Sequence, residues 1–168
     1  MHTRTRKIVI SALIAALICV VTMTLKIPSP LFKGYLNLGD GIVLAAGWML
    51  PPAFGFLAAG LGSALADLFS GYIVYAPATF AIKGLMALIA SYAYKLLRKK
   101  TGGLSARILS GAASEIEMTL GYFVFEGFMY GFAPSLVNIP MNGVQGLAGL
   151  GMGVILMKML VKGKIVSE

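Results

Sequence analysis

The chain has 168 residues, of which 58% are hydrophobic and only 12% charged, and its mean hydropathy is +0.88. Soluble domains are about 45–50% apolar and about 25% charged, so a water-soluble enzyme and a disordered chain are both excluded. The net charge of +8 would suggest nucleic acid in a soluble protein; in this one the positions of the charges give a different meaning.

A bilayer core about 30 Å thick takes roughly 20 apolar residues per helix. The first such run covers residues 8–25 and follows Arg4, Arg6 and Lys7. No small-x-small cleavage site precedes Lys26, so it reads as a retained helix and not as a signal peptide. The second run, residues 36–50, is short and stops at Pro51-Pro52; the third covers residues 53–69. The fourth, fifth and sixth cover about 77–97, 105–130 and 136–161. The expectation is an all-α membrane protein, a bundle of six transmembrane helices forming a single domain over residues 1–168.

The basic residues decide whether Pro51-Pro52 separates two helices. With six spans, three clusters fall on one side of the membrane: Arg4, Arg6 and Lys7; Lys95, Arg98, Lys99, Lys100 and Arg107; and Lys158, Lys162 and Lys164. Only Lys26 and Lys33 fall in outer loops, and Lys83 lies within a helix. Five spans would put the second and third clusters outside, against the positive-inside rule. Both termini are therefore expected in the cytoplasm, and the net charge records topology.

Charges at bilayer depth cost at least about 2.5–3.5 kcal/mol each and normally face a bundle interior or a cavity. Asp40 opens the second span, Asp67 closes the third, and Lys83 lies about two turns into the fourth; Asp67 and Lys83 are the expected ion pair. On the fifth span Glu115, Thr119, Tyr122 and Glu126 stand at i, i+4, i+7 and i+11, one face of a helix. On the sixth, Asn138, Asn142 and Gln145 stand at i, i+4 and i+7. Glu117 falls on another face. These stripes converge on a polar pocket opening outward, beside Tyr75 in an aromatic loop. Carboxylates, amides, tyrosines and one lysine suit a small hydrogen-bonding organic molecule. A metal ion fits less well, because the only histidine, His2, is in the N-terminal tail and the only cysteine, Cys19, is in an apolar run.

Small residues form strips at Ser11-Ala12 and Ala15-Ala16, at Gly55, Ala59 and Ser63, and at Gly149 and Gly153, where backbones can approach in lipid. The later two read as internal packing; the first could contact another membrane subunit. No Walker sequence is present, and no histidine lies within a span to serve hydrolytic chemistry. Gly62-Ser63, with no base in reach, reads as helix packing. Glu115, Glu126 and Asp67 alone could serve a stand-alone proton-coupled carrier, which is the alternative class.

Three segments resemble the S components of energy-coupling factor (ECF) transporters: Leu36-Asn37-Leu38-Gly39-Asp40, the block from Gly62 to Tyr72, and Ala76-Pro77-Ala78-Thr79 followed by Lys83-Gly84-Leu85. They are most similar to the group that includes riboflavin, pyridoxine and hydroxymethylpyrimidine transporters. The resemblance implies a multi-pass, substrate-binding subunit of a bacterial plasma membrane, with no cofactor, no enzymatic activity and no nucleic-acid partner. It would capture a vitamin outside the cell and work with a transmembrane T subunit and two ATPases. The family's docking strip on the first helix matches Ala12 and Ala16. The substrate-binding set expected from residues and resemblance together is Asn37, Asp40, Asp67, Tyr75, Lys83, Glu115, Tyr122, Glu126, Asn138, Asn142 and Gln145. Pyridoxine, pyridoxamine or hydroxymethylpyrimidine is favoured, with riboflavin next.

Overall fold

A computed structural model of the chain describes residues 2–28 and 35–164. Lys33, expected in an outer loop, lies outside the described residues. Six helices follow one another: α1 (His2–Thr24), α2 (Asp40–Met49), α3 (Pro52–Phe69), α4 (Ala76–Thr101), α5 (Gly103–Tyr130) and α6 (Phe132–Lys162). Between α1 and α2 lies a short antiparallel ribbon that the sequence pattern did not announce. Its strands are β1 (Lys26–Pro28) and β2 (Tyr35–Asn37), with Lys26 opposite Asn37.

Pro51-Pro52 does separate two helices. Leu50 is extended (φ −90°, ψ 157°), as a residue before proline is pushed to be, and Pro52 begins α3, where its missing N–H costs nothing. Gly102 (φ +80°) and Gly131 (φ +95°) make the abrupt turns on either side of α5, a backbone region in which a Cβ is strained.

Two expected boundaries are corrected. The second span begins at Asp40 and not at residue 36, because Leu36 and Asn37 belong to β2. Ten residues of helix rise only about 15 Å, half the bilayer core, so α2 does not cross alone. The sixth helix begins at Phe132, four residues early, because proline is tolerated in a first turn and Pro134 stands there. Among the described residues α1, α3, α4 and α6 are long and apolar enough to cross; α5 has the length but carries Arg107, Glu115, Glu117 and Glu126.

Short α2 can be the centre of the bundle because it is enclosed by the others: every residue from Asp40 to Trp48 is buried. Trp48 donates its indole N–H to Ser110 of α5 at 3.0 Å. Close backbone approaches fix the neighbours. A Cβ on Gly153 would lie 3.0 Å from the Gly41 carbonyl, joining α6 to α2, and one on Gly55 would lie 3.3 Å from the Ala46 carbonyl. On α1, Ser11 is buried and Ala15 faces α3, whereas Ala12 and Ala16 are exposed. The outer shell is apolar almost throughout, with Leu13, Leu65, Phe128, Leu147 and Ile155 all exposed. A continuous surface of that kind belongs in acyl chains. The chain is an integral membrane protein.

Gly62 gives a direct test of this packing, since a Cβ there would sit 2.5 Å from the Ala15 carbonyl oxygen. Gly62→Leu should lower stability by about 1–3 kcal/mol or more, read as a fall in thermal midpoint in detergent. Gly151→Leu, where a Cβ meets nothing within 4 Å, should change it little.

Candidate functional site

The ends of α1, α3, α4, α5 and α6 that lie opposite the basic clusters surround a cavity of about 50 Å³, roofed by β2. Its floor is an ion pair. Lys83, 2% exposed, is bound to Asp40, 1% exposed, and the remaining Asp40 oxygen accepts the Gln145 amide N–H at 2.6 Å. The other end of the same Gln145 amide accepts the backbone N–H of Asn37 at 3.0 Å. One chain of polar contacts thus runs from α4 through α2 and α6 to the ribbon.

This chain accounts for the Asn37-to-Asp40 segment residue by residue. Asn37 Oδ1 accepts the Gly39 N–H at 2.9 Å, an Asx-type turn that ends the ribbon and starts α2. A Cβ on Gly39 would fall 2.0 Å from Thr22 Oγ1, so the residue at this crossing of α1 must be glycine. Asp40 then opens α2 directly under Lys83.

The outer wall is built around a second carboxylate. Asn138 Nδ2 donates to both oxygens of Glu126 at 2.8 and 2.9 Å, and the Tyr75 hydroxyl approaches one of them at 3.5 Å. Tyr122 and Thr79 share a hydroxyl hydrogen bond at 3.0 Å, and the Lys83 ammonium lies 5.5 Å from the Tyr122 ring centre. Lys26 donates to Ser70 at 3.1 Å, tying the ribbon to the end of α3. Two lining groups have no hydrogen-bond partner among the described residues: Asn142 Nδ2 and Ser63 Oγ.

Of the residues expected together, Asn37, Asp67, Tyr75, Lys83, Tyr122, Glu126, Asn138, Asn142 and Gln145 line this cavity. Asp40 does not; it lies beneath, spent on Lys83 and Gln145. Glu115 does not either. Eleven residues of helix rise about 16 Å, so a stripe that puts Glu126 in the outer wall carries Glu115 far below it. The expected Asp67–Lys83 pair is also corrected: the carboxylate on Lys83 is that of Asp40, because buried α2 brings it under α4. Ser63, read as helix packing, lines the cavity, as do Thr22, Leu36, Tyr72, Thr79 and Met141. Ser63 and Thr79 were findable, each standing four residues before an expected site residue on the same helix face (Asp67 and Lys83).

A helical membrane bundle with a polar hollow among its outer helix ends is the architecture of a membrane-embedded solute-binding protein. The family model for the ECF-type riboflavin transporter S component matches residues 2–162. The chain belongs to that family. A protein of Pyrococcus woesei described as an uncharacterized protein in a gap 3′ region is 33% identical over 145 residues, 84% of this chain and 95% of its own length. The fold is shared with the S component of a bacterial ECF transporter (TM-score 0.74, 22% identity, 95% of this chain and 97% of that one). It is also shared with the S component for biotin from an ECF-type ABC transporter (TM-score 0.64, 16% identity, 94% and 93%).

Breaking a buried pair strands the other charge and costs about 3–5 kcal/mol, whereas removing both costs far less. Asp40→Asn should therefore destabilise the protein by that order, and Asp40→Asn with Lys83→Gln should recover more than half. A double-mutant cycle on unfolding midpoints measures it.

Proposed function

We propose that this chain is the substrate-binding subunit of an ATP-driven ECF importer, and that its outer cavity takes a small single-ring B vitamin or precursor. Pyridoxine, pyridoxamine and hydroxymethylpyrimidine have the right chemistry: one flat ring, ring nitrogen acceptors and exocyclic hydroxyl or amino groups. The observation that supports this reading is that Asn142 Nδ2 and Ser63 Oγ, beside Lys83 and the ring of Tyr122, have no hydrogen-bond partner among the described residues. Polar groups left unpaired in such a site discriminate strongly for a ligand that satisfies them.

Size points the same way. Sites for small ligands usually hold about 300–1,000 Å³, well above the 50 Å³ enclosed here, so a ligand must displace the ribbon or the Tyr72–Tyr75 side of the wall. A single ring asks for the least displacement. Riboflavin is the second reading, favoured by the description of the matching family; its tricyclic ring requires the larger opening. Uptake would require a T subunit and two ATPases, since the chain has no nucleotide-binding sequence. The exposed Ala12 and Ala16 offer a small-residue strip on which a T-subunit helix can pack.

Purified protein should be stabilised by one of pyridoxine, pyridoxamine, hydroxymethylpyrimidine or riboflavin, by about 2.7 kcal/mol at a hundred times its Kd. Asn142→Leu should abolish that shift. Ala12→Leu with Ala16→Leu should leave it intact but prevent assembly with the T subunit. No shift with any of the four, together with transport by the isolated chain under a pH gradient, would instead favour the stand-alone carrier.

A further inference from the structure

In the outer wall of the cavity, Glu126 has its hydrogen bonds made but its charge unmatched. It lines the cavity and is 5% exposed. Both of its oxygens accept from the Asn138 amide, at 2.8 and 2.9 Å, and the Tyr75 hydroxyl lies 3.5 Å from one of them. Accepting on both oxygens is the behaviour of an ionised carboxylate. An amide and a phenol are neutral, so neither brings the positive charge that a buried carboxylate requires. The cation of the lining does not bring it either, because Lys83 is bound to Asp40 in the floor. Asp67, the remaining charged group of the lining, is itself an acid.

The Tyr75 contact is the part of this wall that yields. At 3.5 Å it is the longest that Glu126 makes, and it stands on the side that an incoming solute must displace. Moving that hydroxyl frees one Glu126 oxygen and leaves tyrosine rings beside it. The rings of Tyr72 and Tyr75 lie 6.4 Å apart at 83°, and both residues line the cavity. The faces of such rings attract cations within about 6 Å. For the neutral part of a solute, Ser63 Oγ and Asn142 Nδ2 have no partner among the described residues, and Ser63 is 2% exposed.

We propose that the solute of this cavity is an organic cation: a flat heteroaromatic ring bearing a protonated aminomethyl group, which takes the place of the Tyr75 hydroxyl on Glu126. The proposal rests on the vitamin-binding reading and narrows it to the amine in preference to the alcohol of the same ring. A charge-assisted N–H···O bond is shorter and roughly twice as strong as a neutral one. The ammonium also supplies the counter-charge that Glu126 lacks, which a hydroxymethyl group in the same position does not.

Matched amine and alcohol pairs test it, with the full-length protein in detergent at neutral pH and Kd read by calorimetry. The pairs are pyridoxamine against pyridoxine, and hydroxymethylpyrimidine against its aminomethyl counterpart. Benzylamine against benzyl alcohol, which has no vitamin ring, accompanies them. In at least one vitamin pair the amine should bind at least about tenfold more tightly than the alcohol, a margin of about 1.4 kcal/mol. Glu126→Gln should bring that ratio close to one. Alcohols that bind as well as their amines, or a ratio that survives Glu126→Gln, overturn the proposal and leave the vitamin reading standing. Binding of benzylamine alone, lost in Glu126→Gln, keeps the cation site and removes the vitamin reading. Binding of none of the three amines overturns the proposal whatever else binds. Should Glu126→Gln not fold, Tyr75→Phe decides: it removes only the hydroxyl that the amine replaces, so the tenfold ratio should persist, and a ratio near one overturns it.

Discussion

A lysine and an aspartate buried in the middle of a membrane bundle set the constraint on which the rest depends. Neither Lys83 nor Asp40 can remain charged in lipid alone, so α2 and α4 must meet at one register. Gln145 carries that constraint to α6, and its carbonyl end carries it to the ribbon through the Asn37 amide. The fold uses one short helix to do this. α2 is too short to cross the bilayer, yet it brings a carboxylate to the floor of the cavity, and five longer helices enclose it.

The cavity above this floor divides its polar groups into two kinds. Asp40, Gln145, Glu126 and Asn138 are largely satisfied by one another and give the walls their shape. Asn142 Nδ2 and Ser63 Oγ have no partner among the described residues, and the proposed function assigns them to the solute. Such a division suits a binding subunit, which needs a pre-organised frame and a few unsatisfied groups for recognition. It also gives the ribbon a role: the Asn37 amide and the Lys26–Ser70 bond hold it across the opening, so a solute entering between the helix ends must disturb those contacts.

Much of this was legible in the sequence wherever helical period governs. The stripe of Asn138, Asn142 and Gln145 came out whole because all three lie within two turns, and basic residues set the topology. The reading failed where distance along a helix mattered more than face, as at Glu115, which shares its face with Glu126 but lies deeper, beside Asp40 beneath the cavity floor. It failed again where contacts depended on tertiary neighbours. Nothing local says that Asp40 rather than Asp67 reaches Lys83, since that follows from α2 being enclosed beside α4. The ribbon gave no signal because strands of three residues are too short for an alternating pattern.

The central claim is that the polar side chains at the helix ends opposite the basic clusters line a hollow that faces the outside beneath the ribbon, and site-directed thiol labelling tests it most directly. In a Cys19→Ala background, Asn142→Cys should react with a membrane-impermeant cationic thiol reagent added outside sealed cells, and Ile116→Cys on the lipid face should not. Reaction of Asn142→Cys only from the cytoplasmic side, or equal inertness of the two positions, would contradict the account.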